Sequence, residues 1–424
     1  MSSYGMLSMA DREEHTTITL AGFKAKYQFI IKLGTALHAF GIEAYRLEAH
    51  LNRISHSQGI TGSFLVTPTT LTFVFSSLDK QLEHTHVSRV KPGDIDLGKL
   101  ADVNDVIEQL IAEEITVVQA HIRLNEIEAS PPLYSSVLSL GAFGVSSGAF
   151  AMLIGTDWLN IVFATGLGIV CYLFVYCSQF YPRMTLGLEP LVACVNGLIA
   201  IGAHAIEPAI HVPLAVLSSI IIFIPGLSIT LGLNELAARE LISGTARLMD
   251  AVMLLFKLYF GAMLGIALGS KLWGEADIPD ANVLPGWSAW VAVLILSTSL
   301  GAVFNVRYKD VVWGVGSGFL AYATGIAGIM LLGDALGYFI GALAVGLYGN
   351  LYAIWKKSPA TVVLLQGIVV LVPGSKTYMG LNGLITGYSI VSDPNLGTNT
   401  FLVFMSLVAG LIFANIMLPT KQEL

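Results

Sequence analysis

The sequence predicts a polytopic α-helical membrane protein, with ten transmembrane helices as a five-plus-five inverted repeat preceded by a small cytosolic α+β domain. Three observations predict it. The 424-residue chain is 54% hydrophobic and only 12% charged, with a mean hydropathy of +0.72; ordinary soluble domains are about 25% charged. Charge is unevenly spread, with 27 charged side chains in residues 1–133 and 24 in the much longer stretch 134–424. The shift falls near Pro131-Pro132, and 35 of the 43 glycines follow it, as membrane helices favour. Finally, IPGLSITLGLNEL (Ile224–Leu236) and VPGSKTYMGLNGL (Val372–Leu384) share P-G-x5-G-L-N-x-L without a gap.

The elements of residues 1–133 follow from periodicity. The opening stretch has acids and no apolar core, so no secretory signal is expected and the chain is expected to begin in the cytosol. Apolar residues between Phe23 and Ser57 recur at helical spacing, among them Ile30, Leu37, Leu47, Leu51 and Ile54, with Gly41 separating two helices. Ser63–Phe75 is rich in β-branched and aromatic residues and predicts two strands joined across Thr67-Pro68-Thr69. Val87–Val90 adds a third strand before Lys91-Pro92-Gly93, and Leu97–Ile127 returns to helix. Seven of the nine histidines lie in this part, but His84-Thr85-His86 has no Cys or further His at metal-site spacing, so no metal is expected. Cys171, Cys177 and Cys194 form no CxxC pair and read as small buried apolar residues.

Ten apolar segments of spanning length follow: 135–155, 159–177, 188–206, 212–231, 247–270, 287–305, 311–331, 334–354, 360–381 and 399–418. The first five make one repeat (134–272) and the last five the other (286–424). With the N-terminus inside, the connections and tail on that side hold Arg183, Arg239, Arg247, Arg307, Lys309, Lys356, Lys357 and Lys421, against Lys271 and Lys376 outside. That excess of cations predicts both termini in the cytosol, and the expected location is the inner cell membrane.

The two Pro-Gly motifs end spans four and nine. An odd offset of five spans threads them through the bilayer in opposite senses, the arrangement in which paired helix breaks mark a transporter's substrate site. Proline removes an N–H and frees the carbonyl four residues earlier, at Ile221 and Val369. Such groups would hold a polar cargo. Expected contacts in the first copy are Pro225, Gly226, Ser228, Thr230 and Asn234. In the second they are Pro373, Gly374, Ser375, Lys376 and Asn382. Lys257 in span five and Asn196 in span three join the substrate set, because polar groups inside a bilayer are costly and mark pathways. Asp250 and Glu235 are the carboxylates suited to carry a coupling proton.

No phosphate-binding loop, nucleotide fingerprint or cofactor signature is present, so neither ATP-driven transport nor a cofactor is expected, and no basic block suggests nucleic acid. The expected partners are a small-molecule substrate, protons and lipid; assembly into a homo-oligomer stays open.

The order of parts resembles the threonine/serine exporter family of bacteria and fungi. The resemblance runs through GTALHAFGIEAYRLEAHLNRIS (Gly34–Ser55), VTPTTLTF (Val66–Phe73), RVKPGDIDLGKLADVN (Arg89–Asn104), PPLYSS at the start of span one, and both Pro-Gly segments. It implies secondary-active export of small hydroxy amino acids, threonine and serine, driven by the proton-motive force, and no enzymatic activity. Related two-subunit proteins are associated with succinate export, which keeps a dicarboxylate as the nearest alternative cargo. An enzyme or sensor anchored by the spans, with residues 1–133 as its active part, is the other class.

Overall fold

The computed structural model describes residues 20–77, 82–91, 93, 95–276, 284–372, 374, 378 and 396–419. In the N-terminal part, helices α1 (Leu20–Ala39) and α2 (Ala44–Ser57) precede strands β1 (Ile60–Val66), β2 (Thr70–Ser77) and β3 (Glu83–Arg89). The strands pair antiparallel in the order β1-β2-β3, with Phe64 opposite Phe73. The chain turns between α1 and α2 at Gly41, whose φ of +85° suits glycine. At the hairpin, the Thr67 hydroxyl donates to the Thr70 carbonyl (2.8 Å) and accepts the Thr70 N–H (3.0 Å).

The stretch expected as one helix from Leu97 to Ile127 is two, α3 (Leu97–Ile111) and α4 (Val117–Ala129). Thr116 and Gln119 form a reciprocal capping box that starts α4, a T-x-x-Q signal visible in the sequence. Ile30, Leu33, Leu51, Phe75 and Ile107 share one fully buried core.

The membrane part comprises α5 (Ser136–Leu153), α6 (Trp158–Ser178), α7 (Leu188–Ile206), α8 (Val212–Ser219), α9 (Gly226–Ala237) and α10 (Leu241–Trp273). It continues with α11 (Ser288–Val303), α12 (Tyr308–Leu332), α13 (Gly337–Lys356), α14 (Thr361–Leu371) and α15 (Leu396–Met417). Among the described residues, seven helices are long and apolar enough to cross a bilayer, and α8 with α9 makes an eighth as a pair bent by 55°. α11 and α14, with 16 and 11 residues, fall below that length. The chain is thus a polytopic helical membrane protein.

Close helix packing rests on small residues. Gly261, Gly265 and Gly269 of α10 bring it onto α7, where an added Cβ would lie 2.2 Å from the Pro190 carbonyl oxygen and 2.0 Å from that of Cys194. Two turns share one hydrogen-bond pattern. Between α5 and α6, Ile154, Gly155 and Thr156 donate to Phe150, Met152 and Ala151; between α11 and α12, Phe304, Asn305 and Val306 donate to Leu300, Ala302 and Gly301. The central residue of each has positive φ, Gly155 at 84° and Asn305 at 53°. Asparagine is among the few non-glycine residues that tolerate this region.

The N-terminal part sits on three connections of the bundle. Leu97 N–H donates to the Phe304 carbonyl (2.9 Å), Arg307 bridges Asp102 (3.2 Å) and Asp105 (2.8 Å), and Asn104 donates to the Lys357 carbonyl (3.1 Å). Arg46 donates to the Thr361 hydroxyl (2.7 Å), and Ser243 to the Val66 carbonyl (3.1 Å). The connections α9–α10, α11–α12 and α13–α14 therefore lie on one side with residues 20–129.

Candidate functional site

The break between α8 and α9 is built by Pro225. The residue before a proline is pushed to extended backbone, and Ile224 has φ −66° and ψ 120°. Val372, before Pro373, has nearly the same geometry (φ −65°, ψ 128°) and ends α14. The two breaks touch. A Cβ on Gly226 would lie 2.4 Å from a Val372 methyl and 3.1 Å from the Gly374 Cα. A Cβ on Gly374 would meet the Ile224 side chain at 3.1 Å. Tyr259 of α10 and Tyr378 are both buried, with ring centroids 5.9 Å apart.

The Ile221 carbonyl at the first break is not left free as expected. A 3₁₀ turn at Ile221–Phe223 takes up the carbonyl that proline would orphan: Ile224 N–H donates to Ile221 O at 3.2 Å. Two residues before the turn, the Ser219 carbonyl accepts from Ser147 (3.3 Å) and Cys171 (3.1 Å). Thr230 is fully buried, and its hydroxyl returns to the Gly226 carbonyl at 3.1 Å. Ser228 is half-buried on the same helix.

The remaining candidates divide. Asn196 is fully buried beside the break, donating to Ser219 Oγ (2.8 Å) and Cys171 Sγ (3.1 Å) while its Oδ1 has no partner. Asn234 and Glu235 lie instead where α9 meets the N-terminal part. Asn234 donates to the Tyr45 hydroxyl at 3.3 Å. Glu235, 0% exposed, accepts two bonds from Arg247 (2.9 and 3.0 Å) and caps α2 by accepting the Ala44 N–H (3.1 Å). Glu235, expected as a buried carboxylate suited to a coupling proton, is buried and paired with Arg247 at the N-terminal part. Lys257 points to Glu189 of α7 at 3.9 Å, and Asp250 is exposed on α10. Pro373, Ser375, Lys376 and Asn382 lie outside the described residues.

Among the described residues, several buried side chains carry unpartnered polar atoms. Gln366 of α14 is 0% exposed, and neither its Oε1 nor its Nε2 has a hydrogen-bond partner. Ser218 of α8, Ser297 of α11 and Ser317 of α12 are fully buried with unpartnered hydroxyls. Ser218 and Gln366 precede Pro225 and Pro373 by the same seven positions. Sequence reading missed both by attending to residues after each Pro-Gly; a lone polar residue at fixed offset before it was the available signal.

A multi-helix membrane protein with a broken span at a junction of helix ends is the class that fold and site define. Two family models extend this over most of the chain. One described as "Putative threonine/serine exporter" matches residues 28–269, and one described as "Threonine/Serine exporter, ThrE" matches 289–417. The chain belongs to the threonine/serine exporter family. It is 30% identical over 415 residues to pheromone-regulated membrane protein 10 of Candida albicans, covering 91% of this chain and 36% of that protein. It is 26% identical to the Eremothecium gossypii protein of the same name (91% and 53%) and 24% identical to an uncharacterized protein of Schizosaccharomyces pombe (96% and 55%). The chain thus spans about a third to a half of these relatives' length. No solved structure matches it.

Proposed function

We propose that the protein is a proton-coupled secondary exporter of threonine and serine, with ten spans threaded as a five-plus-five inverted repeat around the meeting point of the two Pro-Gly breaks. The observation that carries this reading is the contact of Gly226 with Val372 and Gly374. Broken helices meeting inside a bundle are how secondary transporters place polar groups at membrane depth. In this reading Asn196 and the serines flanking the breaks contact cargo. Glu235 takes part in proton movement only by releasing Arg247, so its role here is to hold α9 to the N-terminal part.

The test is flux in proteoliposomes of the purified chain under an imposed pH gradient. Labelled threonine and serine should move faster with the gradient than without it. Movement of succinate alone would replace the hydroxy amino acid with a dicarboxylate. Movement of none of the three would overturn the transport reading.

A further inference from the structure

Gln366 is buried without a hydrogen-bond partner for either end of its amide. Native proteins rarely leave such groups unpaired, and in a bilayer no solvent is available to repair the omission. Its surroundings are equally specific. A Cβ on Gly314 of α12 would lie 1.9 Å from Gln366 Oε1, so only glycine leaves room for the amide there. One turn further along α12, a Cβ on Gly318 would lie 2.0 Å from Ser297 Oγ, and one on Gly367 of α14 would lie 2.4 Å from Ser317 Oγ. Three helices thus bring four unpartnered polar atoms to one glycine-walled seam.

We infer that Gln366, with Ser297 and Ser317, forms a subsite that reads the hydroxyl of the transported molecule; this rests on the hydroxy amino-acid reading above. A glutamine amide needs a donor for its oxygen and an acceptor for its nitrogen. A cargo hydroxyl donates to Oε1 while accepting from one of the serine hydroxyls, and the cargo carboxylate accepts from Nε2. Alanine has no hydroxyl to place there. An ionised dicarboxylate has only acceptors and leaves Oε1 bare. The matching register of Ser218 before Pro225 puts a smaller hydroxyl at the corresponding place in the first half, so the amide distinguishes the second half as the selective one.

The test is counterflow in proteoliposomes of the full chain, reading the ratio of labelled serine to labelled alanine transport. Wild type should favour serine by at least about tenfold, since a site built to bond a polar group rejects an analogue lacking it. Gln366→Leu should bring the ratio close to one, and Gln366→Asn should retain part of it. Gly314→Ala, which displaces the amide without removing it, should also lower the ratio and serves if Gln366→Leu does not insert. An unchanged ratio in an inserted Gln366→Leu or Gly314→Ala protein, whatever the absolute rate, overturns the subsite while leaving serine export standing. Wild-type protein that moves neither serine nor threonine overturns the export reading, and the subsite with it.

Discussion

At the residue scale, the docking interface turns on one carboxylate. Glu235 is fully buried and satisfies Arg247 twice and the Ala44 N–H once. Breaking a buried pair costs about 3–5 kcal/mol, and Arg247, 26% exposed at its side chain, can recover some hydration. Glu235→Ala should therefore cost about 3 kcal/mol, read as a lowered unfolding midpoint in detergent, and Glu235→Ala with Arg247→Leu should recover part of it. A stable Glu235→Ala protein that has lost only its response to a pH gradient would return Glu235 to proton coupling. His50 of α2 supplies a pH dependence. Burial, with Arg53 and Arg46 nearby, lowers its pKa from 6.5 to about 4. The folded state resists charging it, so its contribution is complete above pH 6.5 and is lost as pH falls from there toward 4. That loss amounts to about 3 kcal/mol. His50→Gln should flatten the stability profile in that window, and an unaltered profile would show that other groups govern it. The sequence showed the helical position of His50, whereas Glu235 fell between the expected spans 212–231 and 247–270 and lies in α9. It could not show their partners, because Glu235 and Ala44 are 191 positions apart.

At the element scale, the breaks were legible because proline acts locally. Its missing N–H and the extended residue before it set the end of α14 and the extended link at Ile224 that precedes α9. The fate of the interrupted backbone was not legible: a 3₁₀ turn and side chains from α5 and α6 pair it, and those neighbours exist only after folding. The break between α3 and α4 was written in Thr116 and Gln119, but apolar periodicity on either side masked it. The contact between the two breaks gives a prediction at this scale. Gly226→Ala places a methyl 2.4 Å from Val372 Cγ1, so the ends must separate. Overpacking of this kind costs about 1–3 kcal/mol. Transport of threonine in proteoliposomes should fall by at least about tenfold, because misplacement of about 1 Å at a binding constellation is enough for a larger loss. Unimpaired transport would show that the helix ends need not touch for cargo to pass.

At the scale of the whole molecule, composition separated the charged first third from the apolar remainder, and the N-terminal part meets the bundle through polar contacts that composition cannot reveal. Asn305 and Arg307 of the α11–α12 turn are bound there by Asp96, Asp102 and Asp105. The corresponding α5–α6 turn has a different neighbour, with Asn160 bonded to the Ala209 carbonyl and the His211 N–H. If α11 and α14 cross the bilayer as α5 and the α8–α9 pair do, five crossings separate these two turns and they face opposite sides. Trp158 and Tyr308 open α6 and α12 and are both exposed, which makes them suitable reporters. In a protein with Cys171, Cys177 and Cys194 replaced by serine, Trp158→Cys should react with a membrane-impermeant maleimide only from outside intact cells. Tyr308→Cys should react only in inside-out vesicles. Labelling of both positions from the same side would mean an even number of crossings between them, which is incompatible with oppositely threaded halves and would leave the Pro-Gly breaks related by sequence without the inversion proposed here.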